Sequence, residues 1–257
     1  MHPKNQARVL TGVDRPSFIG SQTVGTTEAR RVRSALLESI SRDVARPLAL
    51  IAGAASGLRT DDDASGGAAV QEGLIDTIQI EAERLQHIAA LLLDLAELEC
   101  DAVEVRSEMV DFADIVRAAV KEVAKTTRDR KIEVGLSADL PKLRLDPRVF
   151  RRLLVILLEI AVRETPPSSK VSIHAACDAR VVRLQVLDER DAILPADHEK
   201  IFGQFDLPCA DDLNRSGSGM ALAVCRGYVE AMGGEIAASN RTDGRGAVFT
   251  LTFPIAA

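Results

Sequence analysis

Residues 215–235 read RSGSGMALAVCRGYVEAMGGE. Gly217 and Gly219 stand at the start of an apolar run whose spacing predicts a helix over 219–232. Bare backbone amides at a helix N-terminus form an anion site, and glycine lets a phosphate approach closely. Around this helix, strings of alternating character predict strands: KIEVGLS (131–137), KVSIHAA (170–176), VVRLQVL (181–187), GEIAAS (234–239) and AVFTLTF (247–253). Helical runs at 111–129 and 147–164 lie among them. Successive antiparallel strands with helices interspersed predict an α+β domain, one sheet carrying helices on one face.

Upstream the texture differs. Residues 1–28 are polar and rich in Gly, Ser, Thr and Pro, and read as a flexible lead-in. From Glu28 onward Leu37, Val44, Ile51 and Leu58 recur every seven residues, with Ile40, Leu48 and Ala55 between them. This is a seam of the coiled-coil kind. Pro47 lies inside it and removes a backbone donor, so a kink is expected there. RTDDDASGGA (59–68) reads as an acidic, solvated loop. A second helix follows from about Ala69 to Glu99, striped by Ile78, Leu85 and Leu92 with Ile88 and Leu95 beside them. A lone helical hairpin cannot bury both stripes, whereas two hairpins from two chains can, so the pattern predicts a homodimeric four-helix bundle.

The chain of 257 residues is 46% apolar but only 3% aromatic, so aliphatic side chains must fill its core. Its net charge of −6 argues against nucleic acid or an anionic membrane as the main partner. No apolar run is long enough to span a bilayer, and the N-terminus lacks a signal-peptide pattern. Cys100, Cys177, Cys209 and Cys225 form no CxxC pair, which fits a reducing, cytoplasmic setting. His2, His87, His174 and His198 are not at metal-ligand spacing, so no zinc site is expected.

The order of elements and several strings resemble the catalytic core of sensor histidine kinases. GSGMAL (217–222) and MGG (232–234) are similar to the family's second glycine box, G-T-G-L-G-L and the later H-G-G. IFGQF (201–205) resembles its phenylalanine box, VLDERDAILP (186–195) its first glycine box, and DGRGAVFTLTFP (243–254) its closing hairpin. SRDVARPL aligns with the phosphoacceptor box S-H-D-L-R-T-P-L, and EAERLQHIAALLLDLAELE (81–99) resembles the second dimerisation helix. GAASGL (53–58) is similar to the potassium-sensor subgroup. The resemblance implies a lead-in over 1–28, a dimerising, phosphoacceptor-like hairpin over 29–100, and a Bergerat-type ATPase α/β sandwich over 101–257.

The departures from that pattern shape the functional expectation. The phosphoacceptor histidine falls on Arg42, and a guanidinium has no lone pair with which to attack. Asp43, the usual acidic neighbour, remains; the Thr or Asn one turn on falls on Arg46. The asparagine box N-L-L-x-N-A is ILLEIA (156–161), placing Ile156 and Ile160 where asparagines belong. Ile160 replaces the Mg²⁺ ligand, and hard cations need oxygen. Glu159 stays but its spacing points it elsewhere on the helix; the basic residue that follows is matched by Arg163, and the aromatic after it by Glu164. Asp188, which in relatives accepts a bond from the adenine amino group, is kept. Its D-x-G-x-G surroundings have become Asp188, Arg190 and Ala192, and the third glycine of the second box is Ala221.

The resemblance with these losses implies a degenerate core in two-component signalling. It would act by docking a response-regulator receiver domain or a partner histidine kinase through Arg42, Asp43 and Arg46, and would need no cofactor. Weak residual ATP binding through Asp188, Arg163, Gly217, Ser218 and Gly219 fits the same picture, without Mg²⁺. Two rivals stay open: an active kinase or phosphotransfer protein with a non-standard acceptor such as His87, and a homodimeric hub with a non-nucleotide ligand in the vacated pocket. His174 and His198 carry no assigned role.

Overall fold

The structure, a computed structural model, describes residues 26–60, 68–99, 104–127, 130–166, 169–203, 218–242 and 245–255. Most of the expected lead-in, the acidic loop over 61–67, Gly217 and the second half of IFGQF lie outside the described residues. Helices α1 (Thr26–Thr60) and α2 (Ala68–Glu99) form the hairpin. The α/β sandwich follows in the order β1 (Glu108–Val110), α3 (Phe112–Thr126), β2 (Ile132–Leu136), β3 (Leu143–Leu145), α4 (Pro147–Glu164), β4 (Val171–Cys177), β5 (Val181–Leu187), α5 (Ser218–Ala231), β6 (Glu235–Asn240) and β7 (Ala247–Pro254).

Pro47 lies inside α1, as expected, and the helix continues on both sides of it. One expectation is corrected here: the strands do not form one antiparallel series. The main sheet has the order β2-β4-β5-β7-β6, and its β2–β4 pair is parallel, Val134 lying opposite Ile173. Parallel neighbours need a crossover, and here β3 and α4 make it. The short strands β1 and β3 pair as a separate antiparallel ribbon, Glu108 opposite Leu145. Three-residue strands carry too little alternation to be legible in sequence.

Helix α4 organises the core. Asp146 caps it, accepting from Arg148 N at 2.9 Å and Val149 N at 3.3 Å, with Pro147 at the first helical position. The same carboxylate accepts from Arg106 N at 2.9 Å, tying the strand before α3 to the helix start. Burial raises the Asp146 carboxyl, but the donations from Arg106, Arg148 and Val149 outweigh it and hold the group below its usual range. Beyond the cap, Phe150, Leu153, Leu154, Val155, Ile156, Leu157 and Leu158 are all buried. A helix apolar on nearly every face must be enclosed on every side. Helix α3 lies along it through Val116, Ala119 and Val123, α5 through Val224 and Val229, and the sheet supplies Ile173, Leu184, Leu251 and Phe253. Leu91, Leu95 and Leu98 of α2 belong to this same core.

The MGG string closes α5. Gly233 takes φ 76°, a left-handed geometry that glycine adopts without strain. Gly234 N donates to Val229 O at 2.9 Å, and a Cβ there would lie 2.6 Å from the Phe253 ring.

Phe150 joins two aromatic contacts, 5.1 Å from the Phe112 centroid and 5.5 Å from that of Phe253 in an edge-on geometry. Phe150→Ala should cost about 3–5 kcal/mol of unfolding free energy, read from urea titrations.

Candidate nucleotide site and interhelix joint

Asp188 sits at the end of β5, where the chain leaves the sheet, and is fully buried. Its backbone N donates to Ala247 O at 3.1 Å, and its Oδ1 accepts from Ala247 N at 3.1 Å and Arg190 N at 3.2 Å. Its Oδ2 accepts from Arg190 Nε at 2.6 Å, and Arg190 Nη2 lies against the same oxygen. The Arg190 side chain is buried, 5.2 Å from the centroid of the Phe249 ring. Gly246 takes φ 135°, and a Cβ there would lie 2.0 Å from Asp188 O. The following loop is pinned by Asn240, whose Oδ1 accepts from Ile193 N at 2.8 Å and whose Nδ2 donates to Ile193 O at 2.7 Å.

The sequence singles out Asp188 as a nucleotide-binding residue and gives no sign of its partner Arg190. Arg190 registered there only as a lost glycine. The sequence around it offers no such signal, because residues 188–191 are four charged side chains in a row, Asp, Glu, Arg and Asp, which read as a solvated turn.

On α4, Ile156 and Ile160 are enclosed in the core, at 0% and 1% exposure. Hydrocarbon offers a divalent cation no ligand. Among the described residues no three His, Cys, Asp or Glu side chains gather as a metal site. Where the resemblance places a metal ligand the side chain is buried hydrocarbon, and the carboxylate it places against the base is paired with Arg190. Arg163 is exposed and pairs with Glu164 at 3.5 Å. Ser218 and Gly219 open α5, their side-chain environment and Gly217 being outside the described residues.

Glu159 does point away from that position, toward α2. Its Oε2 lies 3.6 Å from His87 Nδ1. Burial, then the charges of Arg163 and Arg152, lower the His87 pKa, against a smaller upward pull from Asp94. Burial raises that of Glu159, opposed by Arg152 and Arg163. Both shifts disfavour a full ion pair and favour the neutral forms of the two groups. About two helical turns further along α2, Asp94 Oδ2 accepts from Arg152 Nε at 3.1 Å and Nη2 at 2.9 Å. Tyr228 of α5 bonds the same carboxylate; burial, then the charge of Asp94, push its phenol upward. Asp94, Arg152 and Tyr228 thus join α2, α4 and α5.

On α1, Arg42 and Arg46 lie one turn apart, the Arg42 side chain outside what is described. Arg46 is half-buried, and Asp43 is buried at 6% exposure. Asp43 is therefore withdrawn from the expected docking face, since an enclosed carboxylate cannot meet a partner.

Comparison with known proteins agrees with this geometry. Residues 32–101 match the His Kinase A (phospho-acceptor) domain, and residues 145–257 the Histidine kinase-, DNA gyrase B-, and HSP90-like ATPase. The chain is 30% identical over 230 residues to the Sensor protein KdpD of Clostridium acetobutylicum, which covers 88% of the chain and 25% of that protein. It is 33% identical over 191 residues to the Adaptive-response sensory kinase SasA of Prochlorococcus marinus, covering 69% of the chain and 51% of that protein. The chain thus spans between a quarter and a half of these relatives. Among solved structures, histidine kinase ThkA in complex with response regulator protein TrrA aligns with a TM-score of 0.65 at 18% identity, over 90% of this chain and 66% of that one. Full-length ShkA in complex with AMPPNP aligns at 0.58 and 22%, over 89% and 46%. The fold and the two matched regions define the class: a sensor histidine kinase core, a helical phosphoacceptor-type hairpin joined to an ATPase-type sandwich. Within that class the chain is similar to KdpD and SasA.

His87 binds fewer protons folded than unfolded. Its contribution to stability is therefore complete above its ordinary pKa of 6.5 and is lost as pH falls through its lowered native value. His87→Gln should narrow the drop in urea midpoint between about pH 7.5 and about pH 5.5.

Proposed function

We propose that the chain is a degenerate histidine-kinase core that signals through protein contacts instead of phosphoryl transfer. The observation that carries this reading is the enclosure of Ile160, 1% exposed, where the resemblance places the metal ligand. Without a divalent cation, phosphoryl transfer lacks its main charge clamp. Arg42 at the phosphoacceptor position supports the same reading, because a permanent cation cannot be the nucleophile.

The acting form is a homodimer in the cytoplasm. Leu48, Val70, Ile75, Ile80 and Leu93 of the hairpin are all more than half exposed in the single chain, an apolar surface that a second hairpin would cover. No helix among the described residues is long and apolar enough to cross a membrane. The partner is a response-regulator receiver domain or a partner histidine kinase. ThkA, solved with its response regulator, supports a receiver as the first choice. Arg42 and Arg46, on one helical face, offer the positive charge that a carboxylate-lined pocket would meet.

The kinase with a non-standard acceptor has one favouring observation. Burial and the charges of Arg163 and Arg152 lower the His87 pKa, which favours the neutral form a nucleophile needs. The hub with a non-nucleotide ligand loses its support, since Ile156 and Ile160 are sealed in the core and line no open pocket.

Incubation with labelled ATP and Mg²⁺ should leave no acid-labile label on the chain. Label that His87→Gln removes would establish the kinase reading in its place. Arg42→Glu combined with Arg46→Glu should weaken capture of a receiver domain at least about tenfold, as loss of close interfacial charge pairs does; unchanged affinity would remove the docking face.

A further inference from the structure

Asp188 and Arg190 occupy a receptor built by other residues. The carboxylate is fixed by Ala247 N, the backbone behind it by Ala247 O, and the wall beside it by the close approach of Gly246. Phe249 supplies an aromatic face, itself held edge-on by Phe202 at 6.3 Å. Asn240 grips the loop from outside with two hydrogen bonds. None of these contacts requires the Arg190 side chain. They define a fully buried hydrogen-bond acceptor beside a ring, the arrangement that receives a planar group carrying N–H donors at its edge.

We propose that Arg190 is an internal ligand of this receptor. Its guanidinium stands in for an amino-substituted heteroaromatic ring of the 6-aminopurine class and closes the site to such bases. The occupant matches in chemistry: it is planar, it donates in its plane to Asp188 Oδ2 at 2.6 Å, and it lies over the Phe249 ring. The match is imperfect in shape. Arg190 Nε and Nη2 both meet the single oxygen Oδ2, instead of spanning the two carboxylate oxygens as a bidentate pair does. Tethering compensates, because a covalently attached donor two residues away competes at a very high effective concentration. Arg190 also removes the cost of a buried, unpaired carboxylate. The result is a specificity device: the base site persists but is self-occupied.

The proposal concerns the base site alone and stands apart from the absence of phosphoryl transfer. Thermal unfolding of the full chain tests it, with adenosine as the base probe and methylguanidinium as a mimic of the deleted side chain. Adenosine at about ten times its dissociation constant should raise the midpoint of Arg190→Gly by about 3–6 °C and leave the wild type unmoved. Methylguanidinium should do the same. If the glycine variant does not fold even with these ligands, Arg190→Lys carries the test. It keeps the counter-charge without the planar fork, and adenosine should still raise its midpoint. A folded variant that ignores adenosine, or a wild type that responds as strongly as the variant, overturns the proposal. An Arg190→Gly chain that binds adenosine and also takes up acid-labile label would instead overturn the signalling reading and leave this one intact.

Discussion

The enclosure of α4 is the constraint on which the rest depends. Its residues from Phe150 to Leu158, apart from Arg151 and Arg152, are buried, and Ile160, Ala161 and Val162 extend the apolar surface. Such a helix has no stable place at a surface. It forces α3, α5, the five-stranded sheet and the lower part of α2 to gather around it. Isoleucine at 156 and 160 continues that logic into ground where polar side chains would have needed water or a metal. Each fully buried isoleucine adds about 1.5–3 kcal/mol of transfer free energy relative to exposure. The sandwich thus gains hydrocarbon packing where an oxygen ligand would have left a polar opening.

The second consequence of enclosure is electrostatic. A carboxylate held in a dry site must find donors, and an ion pair in such a place brings its full desolvation cost with it. Asp188 has two backbone amides and a guanidinium; Asp94 has Arg152 and Tyr228; Asp146 has three backbone amides and Arg148. Glu159 differs, since the pKa of its neighbour His87 is lowered and the two arginines nearby only partly offset burial.

Much of this was legible in the sequence, for definite reasons. The helix over 147–164 was expected as a helical run among the strands, and both of its ends match the structure. The strand over Val181–Leu187 was equally plain from its alternation. The ribbon strands at Glu108–Val110 and Leu143–Leu145 were not, because three residues show no period. The parallel β2–β4 pairing was hidden too, since it depends on where the crossover through α4 places the chain and not on any local string. Position 43 reads as a surface acid and is interior. Position 190 reads as a missing glycine and is the nearest partner of Asp188. Side-chain identity gives a residue's chemistry, but which neighbour meets it is settled by the fold.

The three leucines that α2 contributes to the core at positions 91, 95 and 98 blur the border between hairpin and sandwich. The change of texture near residue 100 is a linguistic boundary and not a mechanical one. Cut there, the sandwich would lose part of its own interior. A twist imposed on the upper hairpin is therefore carried toward the sheet by the packing of these three leucines.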